Sequence, residues 1–204
     1  MRLLWFIFLI VICFNFVALT GFSQPKRNIK IQNDFILTGG AIPLFILDGA
    51  SIPVWITPKF SHPLANGNLH VGAGGLAGTV IGKAHTFFGI LYGNITVGSS
   101  DKNFSVGTGY LTYGYTDQEM EKSPVFTISG KVRTSNRWFF LSDNYFFNTK
   151  DGLTGIISLS GRRMTKKAGF DFGAFIPIGG GTDTFIAIPW LGVTFPFGNA
   201  NSRL

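Results

Sequence analysis

The stretch Thr86–Tyr115 limits what this chain can fold into more than any other. It reads T-F-F-G-I-L-Y-G-N-I-T-V-G, a polar turn S-S-D-K-N, then F-S-V-G-T-G-Y-L-T-Y-G-Y. In the first arm Phe87, Gly89, Leu91, Gly93, Ile95 and Val97 share one face, while Thr86, Asn94 and Thr96 share the other. In the second arm Phe104, Val106, Thr108, Tyr110 and Thr112 alternate with Ser105, Gly107, Gly109, Leu111 and Tyr113. A period of two is that of a strand, because successive side chains leave a pleated backbone on opposite sides. Both arms exceed the about five or six residues usual in soluble domains. Both match the roughly nine to eleven residues with which a tilted strand crosses a hydrocarbon layer. The stretch therefore reads as a β-hairpin long enough to span a bilayer.

Composition narrows the environment. Charged residues are 13% of the 204 residues, about half of the roughly 25% in an ordinary soluble domain, so much of the surface must face something other than water. The mean hydropathy is +0.30. Beyond the N-terminus, however, no run approaches the roughly 18 uninterrupted apolar residues of a membrane helix. Alternation carries the apolar character instead. The formal net charge is +7, but the basic residues gather at turns (Lys26, Arg27, Lys166, Lys167) and no basic helix can be drawn. No nucleic acid is expected as a partner; outer-membrane lipid and lipopolysaccharide phosphates suit such basic rims. The single cysteine, Cys13, lies in the N-terminal apolar segment, so the mature chain is expected to hold no internal disulfide. Ile10-Val11-Ile12 before it lacks the small residue that lipidation needs.

Met1–Ser23 joins Arg2 to an apolar stretch from Leu3 to Leu19, broken only by Asn15, and closes on Gly21-Phe22-Ser23. This is the grammar of a cleavable secretory signal peptide. Export is expected, with the bacterial outer membrane as destination and residues 24–197 as the inserted domain. Pro53–Ser61 then sets Val54, Ile56 and Phe60 against Thr57, Lys59 and Ser61, and Asn66-Gly67 marks a type I′ turn leading into Leu69–Ile81. Asp117–Ser123 reads as the most charged loop. Beyond it Val125, Thr127, Ser129, Lys131 and Arg133 oppose Phe126, Ile128, Gly130 and Val132. Further turns at Ser135-Asn136, Lys150-Asp151-Gly152, Thr165-Lys166-Lys167 and Gly179-Gly180-Gly181 separate Arg137–Phe147, Leu153–Arg163, Ala168–Pro177 and Thr184–Pro196.

Alternating segments of about ten residues between turn residues are the signature of a transmembrane barrel. The expected fold is all-β: an antiparallel transmembrane β-barrel, with a polar tail at 198–204. Bacterial single-chain barrels have an even number of strands. Ile29–Leu37 and Ala41–Leu47, disturbed by Gly39-Gly40 and Pro43, are read as one bent strand, which gives about ten; one further strand would give twelve.

A Lys or Arg on the lipid face at midplane costs about 2–4 kcal/mol. Charges within strands are therefore expected to point inward, forming a lumenal network of Lys131, Arg133, Asp143, Arg162 and Asp171. Asp143 and Asn144 are consecutive, so strict alternation sends one of them outward; a bulge is expected there, with Asp143 inward. Tyr113, Tyr115, Trp138, Tyr145 and Trp190 lie near strand ends and are expected in the interfacial aromatic girdles. About ten strands enclose a lumen only somewhat wider than side chains fill, so a wide diffusion pore is not expected.

Gly72-Ala-Gly-Gly-Leu-Ala-Gly78 has the spacing G-x-G-x-x-x-G with no helix after it. It reads as close approach in a curved strand rather than as a nucleotide loop, and no cofactor is expected. The three histidines, His62, His70 and His85, have no partner at metal-ligand spacing. Two other readings of function stay open beside a non-catalytic structural, anchoring or narrow-transport barrel. One is a lipid-modifying barrel enzyme using His70 or His85 with a serine. The other is a soluble periplasmic barrel that binds an apolar ligand, with aromatic faces inward.

Three segments together, Pro53-Val-Trp-Ile-Thr-Pro-Lys-Phe60, Ser142-Asp-Asn-Tyr-Phe146 and Asp183-Thr-Phe-Ile-Ala-Ile-Pro-Trp-Leu-Gly-Val-Thr-Phe-Pro-Phe197, carry a resemblance. They resemble an uncharacterised family of bacterial outer-membrane β-barrel proteins, over roughly 33–197. The resemblance implies a Gram-negative outer-membrane location and insertion by the barrel-assembly machinery. It implies no activity, so no functional residues follow from it. Against that pattern the chain reads as an N-terminally shortened member whose Trp190–Phe197 segment is followed by the tail Gly198–Leu204.

Overall fold

The computed structural model describes residues 34–43, 52–64, 68–82, 86–115, 120–149, 152–179 and 185–197. The chain divides into two compact units, Met1–Lys30 and Ile31–Leu204, and every described residue belongs to the second. The expected signal peptide with Cys13, the Asn66-Gly67 turn, His85 and the tail Gly198–Leu204 lie outside the described residues.

Ten strands make up the described fold: β1 (Asp34–Ala41), β2 (Ile52–Pro63), β3 (Leu69–Ile81), β4 (Thr86–Gly98), β5 (Lys102–Tyr115), β6 (Glu121–Arg133), β7 (Trp138–Thr149), β8 (Gly152–Met164), β9 (Gly169–Ile178) and β10 (Ile188–Phe197). Each pairs antiparallel with its sequence neighbours, and β1 pairs with β10 to close a barrel. One strand, β1, runs straight through Gly39-Gly40. Glu121, Lys122 and Ser123, read from sequence as loop, are the first residues of β6; their pairing with Tyr113, Thr112 and Leu111 extends the ladder beyond the point where charge suggests it stops.

The connections 64–68, 99–101, 134–137 and 165–168 gather at the end of the barrel where β1 begins and β10 finishes, here called the turn end. The two longest connections, 42–51 and 179–187, lie at the opposite, loop end. At the turn end Gly98 adopts a φ of 118°, which L side chains rarely tolerate.

Alternation sorts the side chains onto two walls. The outer wall carries Leu91 (73% exposed), Phe126 (60%), Ile95, Val106, Phe170 and Phe195. Its formal charges, Lys102, Lys122 and Arg163, stand within two residues of a strand end. The strand charges Lys59, Lys131, Arg133, Asp143, Arg162 and Asp171 share faces with Thr57, Thr127, Ser160 and Gly173, and point inward.

The register across β6, β7 and β8 is unbroken from Val125↔Phe147 to Arg133↔Phe139, and from Trp138↔Arg163 to Thr149↔Gly152. The bulge expected at Asp143-Asn144 is therefore absent. Asp143 is inward as expected, and Asn144 stays on the outer wall. Its amide is satisfied there: Nδ2 donates to Ser142 Oγ at 3.0 Å, and Oδ1 accepts from the Ser158 N–H at 3.2 Å. A polar group whose bonds are met locally costs less than a broken ladder.

The glycines of β3 have a steric purpose. A Cβ at Gly74 would sit 2.5 Å from the Tyr92 ring, and one at Gly78 would overlap the Phe88 ring. These inward aromatics of β4 occupy the space that side chains at Gly74 and Gly78 would fill, so the lumen accepts large rings at those two positions.

Candidate functional site

The lumen has two halves of different chemistry. At the loop end Trp55, Phe175 and Trp190 form one cluster. The Phe175 and Trp190 rings stack at 5.3 Å and 14°, and Trp55 meets them at 5.4 and 5.8 Å. Trp55 fits because Gly40 opposite it has no side chain; a Cβ there would strike the indole. Buried Leu111 and Val125 (1% exposed) add to this half. Rings in offset stacks and edge contacts contribute about 0.5–1.5 kcal/mol per pair beyond the area they bury.

Trp190 and Tyr145 therefore correct the sequence reading, which placed both in interfacial girdles. Trp190 is buried inside the barrel, on the same face as Gly192 and Thr194. Tyr145 shares the inward face of Asp143 and lies within electrostatic reach of it and of Tyr92. Tyr113 also follows the inward face, but at the rim, where its hydroxyl donates to Glu121 Oε2 at 2.6 Å. Trp138 is on the outer wall at the turn end, edge-on to Phe172 at 5.7 Å and beneath the Arg163 guanidinium at 5.9 Å. The backbone of Tyr115 ends β5 opposite Thr86; its side chain lies outside the described residues.

At the turn end the lumen is ionic. Arg162 makes a bidentate pair with Asp171, Nε to Oδ1 at 2.6 Å and Nη2 to Oδ2 at 2.9 Å. Thr194 Oγ1, 1% exposed, donates to Asp171 Oδ2 at 2.6 Å, and Thr38 Oγ1 stands 2.8 Å from Thr194 Oγ1. This chain of bonds runs from β8 through β9 and β10 to β1, so it crosses the line where the barrel closes. On the outside of the same seam the rings of Phe35 and Phe197 meet at 5.6 Å.

The other charges expected in one network are dispersed. Arg133 reaches down to the β4–β5 turn, Nε to Asp101 Oδ1 at 2.7 Å, with Nη1 on the Asn136 carbonyl at 2.9 Å. Lys131 Nζ lies 5.6 Å from the Phe139 ring, which also carries Arg133 at 4.5 Å. Asp143 sits higher, beside Tyr92 and Tyr145. Among the described residues neither Lys131 nor Asp143 makes an ion pair, so the geometry resolves the expected five-residue network into one tight pair, one turn pair and two single charges. Two lumenal charges, Lys59 and Asp34, fall outside the network expected from sequence, and His70, singled out there, is lumenal as well. Lys59 is inward and near Lys131, Asp34 is within electrostatic reach of Lys131, and His70 is inward with Nδ1 buried and unbonded among the described residues. The alternation of β2 already marked Lys59.

His70 has Thr96 as its cross-strand partner. Thr96 Oγ1 is 2.6 Å from Ser105 Oγ and accepts from Asn94 Nδ2 at 3.2 Å. The hydroxyls and amide thus bond each other beside the imidazole, and no described carboxylate orients it. No described group of three or more His, Cys, Asp or Glu is placed to hold a metal ion. On the outside, two shallow apolar grooves of about 630 and 720 Å³ run along β8 to β10 and across the β9–β10–β1 seam, floored by Gly161, Ala174 and Gly39 and flanked by Phe170, Phe172 and Leu191. No protein-family model matches the chain, and no curated protein matches it.

Proposed function

We propose that the chain is an outer-membrane β-barrel protein with a structural, anchoring or narrow-transport role and no catalysis. The observation that carries this reading is the outer wall. Between its ends that wall presents large apolar side chains and no formal charge among the described residues, while the strand charges Lys59, Lys131, Arg133, Asp143, Arg162 and Asp171 point inward. In water a surface of this size is a liability; against acyl chains it is the surface required. Supporting it are closure, which leaves no unpaired edge for hydrocarbon to meet, and Trp138 with Arg163 at the turn-end rim. The lumen is filled with rings at one end and ion pairs at the other, which suits a plugged or narrow barrel rather than a wide pore.

A soluble carrier of an apolar ligand needs the inverse arrangement of the two walls. A lipid-modifying enzyme needs an oriented His–Ser pair; His70 faces hydroxyls that bond each other. The membrane reading is tested by fractionating cells that express the full chain. It is expected in the outer-membrane fraction, with migration on detergent gels that changes on heating. Recovery in the soluble periplasm would overturn it.

A further inference from the structure

We propose that the outer face of β8 and β9 seats an anionic phospholipid, with its phosphate at Arg163 and an acyl chain in the apolar groove above it. The site rests on the membrane reading and gives it a particular lipid at a particular place. Register builds the rim. Trp138, Arg163 and Phe170 are successive cross-strand neighbours on β7, β8 and β9, and all three are exposed on the outer wall. The Arg163 guanidinium lies over the Trp138 ring at 5.9 Å, and that ring meets Phe172 edge-on at 5.7 Å. Arg163 is thus held against a ring, with no carboxylate partner among the described residues.

The turns on either side add cations. Lys166 and Lys167 stand in the β8–β9 turn and Arg137 ends the β6–β7 turn, all three exposed. The Arg137 carbonyl accepts from the Met164 N–H at 2.7 Å, so the two turns border one patch. No described acid is left to neutralise it. Inside the barrel Lys59, Lys131, Arg133 and Arg162 are matched in number by Asp34, Asp143 and Asp171 together with Asp101, which Arg133 holds. Glu121 is at the loop end, bonded to Tyr113. The excess positive charge therefore lies on the outer rim. Two residues from Arg163 on the same outward face, about 7 Å along the strand, is Gly161. It borders the groove of about 630 Å³ together with Leu159, Phe172, Ala174 and Leu191. A cationic edge below an apolar trough matches a molecule with an anionic head and a hydrocarbon tail. Short turns mark the periplasmic side of such barrels, where the leaflet is phospholipid, which favours a glycerophospholipid over lipopolysaccharide.

The full chain is reconstituted into phosphatidylcholine vesicles that contain acyl-brominated phosphatidylglycerol or, at the same mole fraction, acyl-brominated phosphatidylcholine. Tryptophan quenching is read for each protein against its own Trp138→Phe counterpart, which isolates that indole. The brominated phosphatidylglycerol is expected to quench Trp138 more strongly. Arg163→Gln should reduce this preference about fivefold, equivalent to about 1 kcal/mol for one cation at an anionic surface. Lys166→Gln combined with Lys167→Gln should reduce it in the same direction. Ala174→Phe, which fills the groove and leaves the rim charges in place, is expected to weaken quenching by the phosphatidylglycerol. Equal quenching by the two lipids, or a preference unchanged in the Arg163 and lysine variants, would overturn the site; quenching unchanged by Ala174→Phe would overturn the acyl seat. Equal quenching leaves the membrane reading standing, whereas quenching by neither lipid removes both.

Discussion

The two halves of the lumen are built from the same ten strands and held by opposite means. At the loop end Trp55, Phe175 and Trp190 pack ring on ring over glycines, and no bond there requires a particular partner. At the turn end Arg162, Asp171, Thr194 and Thr38 form a directional chain in which each group satisfies the next. The difference teaches where each half is vulnerable. Aromatic packing degrades by degrees as atoms are removed, whereas a buried ionic chain fails abruptly when one member leaves its partner charged and unpaired.

The largest effect is therefore expected from Asp171→Asn. It strands the Arg162 guanidinium inside the barrel and should cost about 3–5 kcal/mol, read as a lower urea midpoint in micelles. Pairing it with Arg162→Met should recover most of the loss; if it does not, the ionic half is held by something other than charge pairing. Trp190→Ala comes next, at about 3 kcal/mol, the low end for loss of a large aromatic, because water in the lumen can enter the space. A loss as abrupt as that of Asp171→Asn, undiminished in Trp190→Phe, would break the contrast between the halves. The smallest effect is Asp101→Asn. Arg133 and Asp101 are partly exposed, at 24% and 37%, so the change should cost about 0.2–1 kcal/mol. In 1 M salt, where screening acts over about 3 Å, that difference should vanish while the Asp171 effect persists.

Much of the fold is legible in the residues alone. The alternation of Thr86–Tyr115 appears as β4 and β5, paired from Thr86↔Tyr115 to Gly98↔Asn103, and the preferred count of ten strands is met, with β1 (Asp34–Ala41) running through Gly39-Gly40 where the two weak N-terminal segments adjoin. The interior was read less well, for two physical reasons. Position near a strand end suggested a girdle for Trp190 and Tyr145, but strand parity decides the wall: Trp190 shares its face with Thr194, and Tyr145 with Asp143. Parity was the available signal, and it outranks depth. The Arg133–Asp101 pair joins residues 32 apart, and the Thr38–Thr194 contact joins residues 156 apart. No local pattern encodes either; the first follows from the pairing of β5 with β6, the second from closure of β1 on β10. The bulge expected at Asp143 was unnecessary because Asn144 finds its bonds in Ser142 and the Ser158 backbone, a contact that requires the neighbouring strand.

The orientation of the two walls tests the account most directly. In a Cys13→Ser background, nitroxide labels are attached at Phe126→Cys and Ser129→Cys, and the refolded barrel is reconstituted into phospholipid vesicles. The label at 126 should collide with dissolved oxygen and be shielded from a water-soluble nickel chelate, while the label at 129 should show no such lipid-side exposure to oxygen. Free collision of nickel with the label at 126, and oxygen-rich shielding at 129, would contradict it.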